Sequence, residues 1–385
     1  MQGGDFMLSM NILLSGNYRK VALLFKFMNM GMVAEGTHFR LQDAYCIEPV
    51  QEYWEKTRAE VLERLHEKDN VVVLGDGRMD SPGHCAQFCT YTTLEQDSRD
   101  IVYIVSVDKR ETSRNSVIME RECFTRTMDV LLLTGKKFLS HPERGKYKDW
   151  GIQHSLDIWH AAKSLSKRLF RLTWVGVLHH VRNEHVWATG CCEHEPLDGD
   201  SGDKPWIVQG SACYKALTAI VLEKRFLNLV KKFLNFRTTS DLESFQNHVL
   251  MYAAKRMGYT PFVYKTQTLL AAIDYNKHNQ RQAARNREGH KMYKRSYNKK
   301  TKNWTVGTIK EIKKYSYIWE IQTAILSRRI ASGTGLPRTV TMRAGDPRRL
   351  GLLAPVQPPP TSELVRVQLA RGNMFPENPQ EDATI

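Results

Sequence analysis

Asp76 is the residue of this sequence best placed to hold a metal ion for catalysis. It follows Val71–Leu74, a short apolar run typical of a buried central strand, and the glycines beside it leave room for a phosphate. Carboxylates on neighbouring elements can hold two divalent cations, which activate a water or 3′-hydroxyl and stabilise the leaving oxygen of a phosphodiester. Oxygen ligands favour Mg²⁺ or Mn²⁺. For a single aspartate after a strand, a capping or turn role is the commoner alternative.

Cysteines and histidines form a weaker set of candidates. Zinc-capable side chains occur in two stretches: His84-Cys85 with Cys89, and Cys191-Cys192 with His194. Neither stretch has the paired spacing of a zinc site, so we do not expect zinc, although Cys192 and His194 are suitable ligand types. Buried cysteines and surface histidines are the simpler interpretation, and His179-His180 and His185 are then residues of a helix face.

Basic residues are concentrated between Lys277 and Lys314. This segment has thirteen Lys or Arg against two acids, a net charge of +11 out of the +15 of the whole chain. Cations neutralise phosphates and interleaved rings stack on bases, so the segment predicts nucleic-acid binding. The candidate DNA-binding residues are Arg285, Arg287, Lys291, Lys294, Arg295, Lys299, Lys300, Lys302 and Trp304. A solvated basic loop and a nuclear import signal remain alternatives.

The residues before the apolar run have helical spacing. Helices are predicted over 18–28, 35–45 and 49–66, with a glycine-containing turn between the first two. This is the layout of a helix-turn-helix, whose second helix would offer Arg40 and Gln42 to a DNA groove. Helix pairs of this shape also occur in proteins that bind no nucleic acid.

The elements around Asp76 predict a mixed α/β core. Strands are predicted at 71–74, 86–94, 101–107 and 152–158, and helices at 116–134, 159–172, 216–235 and 242–255. Six regions follow: a helical region 1–66, a first part of the core 67–172, a mainly helical insertion 173–240, final core helices 241–276, a basic aromatic segment 277–328 and a proline-rich, flexible tail 329–385.

Composition restricts the class of protein. With 385 residues, 42% of them hydrophobic, the chain can bury a core, and no apolar run is long enough for a membrane helix. Seven scattered cysteines fit a reducing compartment, no signal peptide is recognisable, and no phosphate-binding glycine motif supports a nucleotide-dependent enzyme. We expect a nuclear or nucleocytoplasmic protein that is not secreted and has no membrane partner. DNA is the expected partner, with RNA or acidic proteins as alternatives.

Three motifs together resemble the DDE transposase-derived proteins of animal genomes: Gly75–Gly83 (GDGRMDSPG), Asp157–Lys163 (DIWHAAK) and Thr239–Asn247 (TSDLESFQN). The resemblance covers most of residues 11–330, in the same order. It implies an RNase H-like core, a mixed sheet with a helical insertion, in which Asp76 matches the first catalytic acid and Glu243 the third, with both as metal ligands. Asp80, His160 and Lys163 are then expected beside the acids. The resemblance also implies Mg²⁺ or Mn²⁺, an oligomer, and an upstream zinc-containing DNA-binding module that this chain lacks.

The second acid of such a core has no counterpart in this sequence. It would lie in a strand between the predicted 116–134 helix and 152–158 strand. Only the seventeen residues Gly135–Gly151 separate them, whereas a strand, a helix and their connections need about 25–30 residues. We therefore expect both the strand and the acid to be missing and DNA cleavage to be impaired.

Two other functions remain open on the sequence. The first is an active two-metal DNA endonuclease or transposase that uses Asp76, Asp157 and Glu243, with Asp157 as a substitute second acid. The second is a non-catalytic scaffold or regulatory protein that binds RNA or acidic partners through its basic segment.

Overall fold

Helices and strands alternate along the chain. The computed structural model describes residues 3–15, 18–68, 71–82, 85–132, 138–139, 176–187, 190–192, 194, 205–223, 240–255, 257–299, 302–333, 335–336 and 342–372. Its helices are α1 (Gly3–Ser15), α2 (Tyr18–Phe27), α3 (Glu35–Leu41), α4 (Ile47–His66), α5 (Met119–Leu132), α6 (Gly176–His180), α7 (Ala212–Val221), α8 (Ser240–Val249), α9 (Pro261–His278), α10 (Ser316–Ser332) and α11 (Thr361–Gly372). Its strands are β1 (Val71–Met79), β2 (Phe88–Glu95), β3 (Ile101–Asp108), β4 (Phe138–Leu139), β5 (Val186–Trp187), β6 (Gly190–Cys191), β7 (Tyr293–Asn298) and β8 (Asn303–Thr308). The predicted elements over 152–172, with Asp157, His160 and Lys163, lie outside the described residues.

A four-stranded mixed sheet in the order β3-β2-β1-β4 forms the centre of the fold. β1, β2 and β3 are antiparallel neighbours, and α5 then leads to β4, which runs parallel to β1 with Val71 opposite Phe138. The predicted mixed α/β class is confirmed. The expectation that no strand lies between positions 135 and 151 is wrong, because β4 pairs there with the start of β1. A strand of two residues has no periodicity from which the sequence could predict it.

Strand β1 is longer than its apolar run. The sequence pattern predicts a strand that ends at Leu74, whereas the strand continues to Met79 in register with β2. Gly75 is needed inside the strand because a Cβ there would lie 2.3 Å from Oη of Tyr91. Asp76 therefore lies within a paired strand, and the turn role that is common for aspartates at strand ends does not apply to it.

Helices cover both faces of the sheet. On one face, Met119 and Cys123 of α5 are buried together with Cys89 of β2. On the other face, the ring of Tyr264 in α9 stacks on Phe88 with centroids 4.3 Å apart. Side chains alternate between the two faces of a strand, so the neighbouring residues Phe88 and Cys89 of β2 pack into two different apolar layers.

The N-terminal helices share this core with the sheet. Met10 and Leu13 of α1 and Trp54 of α4 are buried in one apolar cluster with residues of β1, β2, β3 and α9. Helix α3 continues through a π-helical turn, Gln42–Cys46, directly into α4. Helices α1, α3 and α4, which lie within the region predicted over residues 1–66, thus pack into the central core.

Part of the C-terminal segment also packs on this fold. Asp346 is buried, Arg343 forms an ion pair with Glu48 at 2.6 Å, and Arg114 donates a hydrogen bond to the carbonyl of Leu350 at 3.1 Å. Residues 343–350 therefore differ from the predicted flexible tail. Helix α11 is exposed over residues 361–370.

Candidate functional site

Asp76 is half-buried on β1 and contacts helix α8. Its Oδ2 accepts a hydrogen bond from the Gln246 side-chain amide at 2.7 Å, and its Oδ1 accepts the backbone N–H of Gly77 at 2.9 Å. Glu243 is exposed on the same helix, one turn before Gln246. The structure therefore places the elements of the two predicted acids side by side. Gln246, which the sequence analysis did not select, makes the contact with Asp76.

Glu120 in the first turn of α5 is another acid near Asp76 that the sequence analysis missed. Its side chain lies against Gly77, where an added Cβ would be 2.6 Å from Glu120 Cγ. The surrounding protein and the negative charge of Asp76 raise the pKa of Glu120, although the residue is exposed. In the sequence, Glu120 is one of several charged residues of an amphipathic helix, so no local signal distinguishes it.

Asp80 has a structural role at the end of β1. It is buried, and its Oδ1 accepts the backbone N–H groups of Gln87 and Phe88 at 3.0 and 3.1 Å. Burial raises the pKa of Asp80, and these hydrogen bonds oppose that effect. The Asp80 side chain therefore holds the end of β1 against the start of β2.

The oxygen ligands around β1 suit a hard cation by type. Asp76 and Glu120 are carboxylates in electrostatic contact, and a divalent cation relieves such repulsion. Asp76 already accepts two N–H donors, and a cation ligated by the oxygen that Gln246 occupies would have to displace that amide. Asp76 and Glu243 are thus ligand types that Mg²⁺ or Mn²⁺ prefers, but among the described residues neither belongs to a group of three or more ligand atoms within 4.8 Å of one another, so a site for these ions stays a prediction.

Cys192 and His194 lie in a cluster elsewhere in the fold. Within the parts of the chain that the structure describes, one group of His, Cys, Asp or Glu has all its ligand atoms within 4.8 Å of one another: His180, His185, Cys192 and His194. Cys89 belongs instead to the sheet core, where its carbonyl accepts the thiol of Cys123, and Cys85 is exposed. His84 lies outside the described residues.

The basic segment folds into a two-stranded antiparallel ribbon, β7–β8. Tyr297 lies opposite Trp304 with ring centroids 5.3 Å apart, and every residue of the ribbon is exposed except Gly307, which is partly exposed. Because side chains alternate along a strand, the pairing defines two faces. One face carries Tyr293, Arg295, Tyr297, Trp304, Val306 and Thr308, and the other carries Lys294, Ser296, Asn298, Asn303, Thr305 and Gly307.

Most of the predicted DNA-binding residues lie in or beside this ribbon. Exposed cations are Arg287, Lys291, Lys294, Arg295, Lys299 and Lys302, and Trp304 is 70% exposed. Arg285 is paired with Lys291 by a β-bridge, and its guanidinium donates to the carbonyl of Gly289 at 2.6 Å. Lys300 lies outside the described residues.

The two residues predicted to read a DNA groove are placed differently. Gln42 is buried in the π-helical turn, with its amide nitrogen 2.8 Å from Nε2 of the buried His38. It faces the protein interior, so it is not offered to a groove. Arg40 is half-buried, and its guanidinium donates to the Thr37 hydroxyl at 3.1 Å. The sequence could not separate these cases, because His38 and Gln42 are polar residues at positions that the fold buries.

Three comparisons with known proteins found no relative of this chain. No family model, curated protein or solved structure matches this chain. Among the described helices, none is long and apolar enough to cross a membrane.

Proposed function

We propose that this chain is a DNA-binding protein of the DDE transposase lineage, with an RNase H-like core whose phosphodiester chemistry is impaired. The three motifs that resemble this family support the lineage. The topology supports it too, because Asp76 lies on a central strand that is followed by two antiparallel strands, a helix and a strand parallel to the first. DNA as the ligand implies nuclear localisation.

The observation that carries DNA binding is the exposed ribbon β7–β8. A two-stranded β-ribbon has the dimensions to enter the major groove of duplex DNA. Its aromatic face offers flat rings, and cations lie on both faces and at the turn, where they can neutralise phosphates on both sides of a groove. Among the described residues no apolar layer covers the ribbon, so Tyr293, Tyr297 and Trp304 add little stability and their exposure favours a binding role.

Salt dependence of binding tests this role. The affinity for a labelled duplex should fall with a log–log slope of about −0.9 per phosphate neutralised, and the triple variant Lys294→Gln, Arg295→Gln, Lys302→Gln should reduce the slope by about 2–3. Lys265→Gln, an exposed lysine outside the segment, is the matched control. An unchanged slope in the triple variant, or tighter binding of single-stranded RNA or of acidic polypeptides than of duplex DNA, would refute the proposal.

The hydrogen bond from the Gln246 amide to Asp76 supports the proposal that DNA cleavage is impaired. A catalytic carboxylate must present its oxygens to cations, whereas Oδ2 of Asp76 accepts the Gln246 amide. The expected result is no magnesium- or manganese-dependent nicking or strand transfer of DNA by the purified chain. Cleavage that Asp76→Ala abolishes and Asp97→Ala retains would instead support the active endonuclease.

A further inference from the structure

Four side chains converge where helix α6 meets the small hairpin β5–β6. His180 ends α6, His185 immediately precedes β5, Cys192 follows β6 and His194 comes two residues later. The backbone N–H of Cys192 donates to the carbonyl of His185 at 2.9 Å, which fixes the two chain segments against each other. The cluster therefore joins residues that are up to fourteen positions apart in the sequence.

The spacing of the ligand atoms fits a tetrahedral ion. Zinc binds nitrogen at about 2.05 Å and sulfur at about 2.3 Å, so two ligands of one tetrahedral ion lie about 3.3–3.6 Å apart. His180 Nδ1 lies 3.4 Å from Cys192 Sγ and 3.4 Å from His194 Nε2. The nitrogen–nitrogen separation is longer than the about 2.7–3.2 Å of an ordinary hydrogen bond.

The three imidazole rings lie close together at steep angles. The imidazoles of His180, His185 and His194 have centroids 4.9–5.2 Å apart and cross at 74–86°. Their ligand atoms all lie within 4.8 Å of one another, as one shared ion requires. Trp206 packs edge-on against His180 and His185 at 5.9 and 5.7 Å, which shields one side of the cluster.

His185 provides an independent sign of a missing partner. Its Nε2 lies 2.9 Å from the Asn183 side-chain oxygen, so the ring donates its proton there and Nδ1 carries a lone pair. Nδ1 is buried and has no hydrogen-bond partner among the described residues. Metal-binding histidines commonly donate their second nitrogen to such an acceptor, which fixes the tautomer. The orphaned Nδ1 is thus prepared to bind a cation.

The ligand set decides which cation. Three imidazoles and a thiolate suit zinc, whereas Mg²⁺ requires oxygen ligands. Four protein ligands leave no open position for water or substrate, which is the pattern of structural sites. Of the described residues between 176 and 223, the buried hydrophobic side chains are Val177, Leu178 and Val221, so a metal cross-link would add stability to a small core.

We propose that His180, His185, Cys192 and His194 bind one structural Zn²⁺. Cys192 binds as the thiolate and releases its proton to solvent. The ion holds α6, the β5–β6 hairpin and the following turn together. This inference is independent of the proposed DNA-binding function, since it uses none of the residues of the ribbon or of the Asp76 site.

Metal analysis of the full chain is the first test. After purification from zinc-supplemented medium, mass spectrometry of the metal content should find one zinc per chain. After replacement by cobalt(II), the chain should show the visible absorption of a tetrahedral ion and thiolate-to-cobalt charge transfer in the near ultraviolet. Substoichiometric zinc or an octahedral cobalt spectrum would overturn the proposal, whatever the variants do.

Variants then assign the ligands. Cys192→Ser should remove the charge-transfer band and weaken zinc binding, and the matched control Cys191→Ser should retain both because Cys191 lies outside the cluster. Asn183→Gly should lower zinc affinity about 10–100-fold, since it removes only the partner of His185. Glycine also tolerates the left-handed backbone of Asn183, which has φ 66°. A charge-transfer band that Cys191→Ser removes, or that Cys192→Ser leaves in place, would contradict the assignment.

Discussion

Asp274 joins three helices and the end of the basic segment at a single buried carboxylate. It is 1% exposed, and its oxygens lie 2.8 Å from Lys313 Nζ, 3.0 Å from Tyr317 Oη and 2.8 Å from His248 Nε2. Burial alone would raise the pKa of Asp274, but the bonds from His248 and Lys313 hold it well below its usual value. The charged form of Asp274 therefore stabilises the fold.

Replacing this carboxylate should destabilise the protein. Asp274→Asn keeps the shape but removes the charge, and because hydrogen bonds to charged groups contribute about 1.5–3 kcal/mol each, the free energy of unfolding should fall by about 2 kcal/mol or more. The measurement is urea denaturation at neutral pH. Asp97→Asn is the control: Asp97 is 73% exposed beside Lys68, and its loss should cost less than about 1 kcal/mol.

Comparison with Asp274→Asn also measures how Asp274 affects the pH dependence of the free energy of unfolding. A carboxyl whose pKa is lower in the folded state contributes stability above its unfolded pKa of about 3.9, and this stability is lost as the pH falls through the folded pKa. The difference in unfolding free energy between wild type and Asp274→Asn should therefore be constant near neutral pH and narrow below about pH 4. A difference that widens on acidification would contradict this role for the charge.

Gly75 should be intolerant of even one added methyl group. A Cβ would lie 2.3 Å from Tyr91 Oη and 2.9 Å from its Cζ, and the Tyr91 ring packs edge-on against Phe124. We expect Gly75→Ala to lower the free energy of unfolding by about 1–3 kcal/mol, the usual cost of overpacking. Tyr91→Phe removes the closest atom, so it should rescue part of this loss. Additive effects in the double-mutant cycle would show that Tyr91 is not the obstacle.

The residue pattern predicted Asp76 and the family resemblance predicted Glu243, but neither predicted the partners of Asp76. Asp76 was recognisable because it follows an apolar run within a motif. Gln246 and Glu120 are ordinary polar residues of helices, and only the packing of α8 and α5 against β1 brings them to Asp76. Cys192 and His194 were recognised as possible ligands, but His180 and His185 were not, because the ligand spacing follows from a turn and a hairpin rather than from a paired motif.

At the scale of elements, the ribbon β7–β8 has one face suited to stacking and one that is polar. Trp304 is 70% exposed on the first face, and Thr305 is its neighbour on the opposite face. Trp304→Ala should weaken binding by more than about 1 kcal/mol, because an exposed ring that enters the major groove loses its apolar contact there, and Trp304→Phe should retain most of the affinity. The measurement is fluorescence anisotropy with a labelled duplex, with Thr305→Ala as the control. Equal losses for Trp304→Ala and Thr305→Ala would show that the faces do not differ.

Elements with clear periodicity were predicted well and elements made by pairing were not. The helix predicted over 49–66 is α4, and the strands predicted over 86–94 and 101–107 are β2 and β3 with boundaries shifted by two residues or fewer. The second half of β1 and the ribbon contain glycines, charges and exposed rings, so no apolar pattern marks them. Their strand structure follows from backbone pairing with a neighbour, which a local pattern does not contain.

At the scale of the whole molecule, folding and the proposed binding surface reside in separate parts of the chain. Helices α1, α3, α4, α8, α9 and α10 and strands β1, β2 and β3 all contribute buried residues to one apolar cluster. The ribbon contributes no residue to the buried core. Tyr293–Thr308 has five Lys or Arg and no acid, so +5 of the +15 net charge can lie on an element whose sequence is not constrained by packing.

Removing the ribbon should consequently leave the fold intact. Met292 and Ile309 are hydrogen-bonded at its base, N to O at 2.9 Å, so a short glycine-containing turn can replace Tyr293–Thr308 without moving either end. Since exposed substitutions change stability by about 0.5 kcal/mol or less, the melting temperature should stay nearly constant while duplex binding is lost. Deletion of Gly3–Ser15 is the contrasting variant, because it removes Met10 and Leu13 from the core and should lower the melting temperature strongly. A ribbon-free chain that unfolds as readily as the helix deletion, or that binds duplex DNA with the wild-type salt slope, would show that folding and binding are not divided in this way.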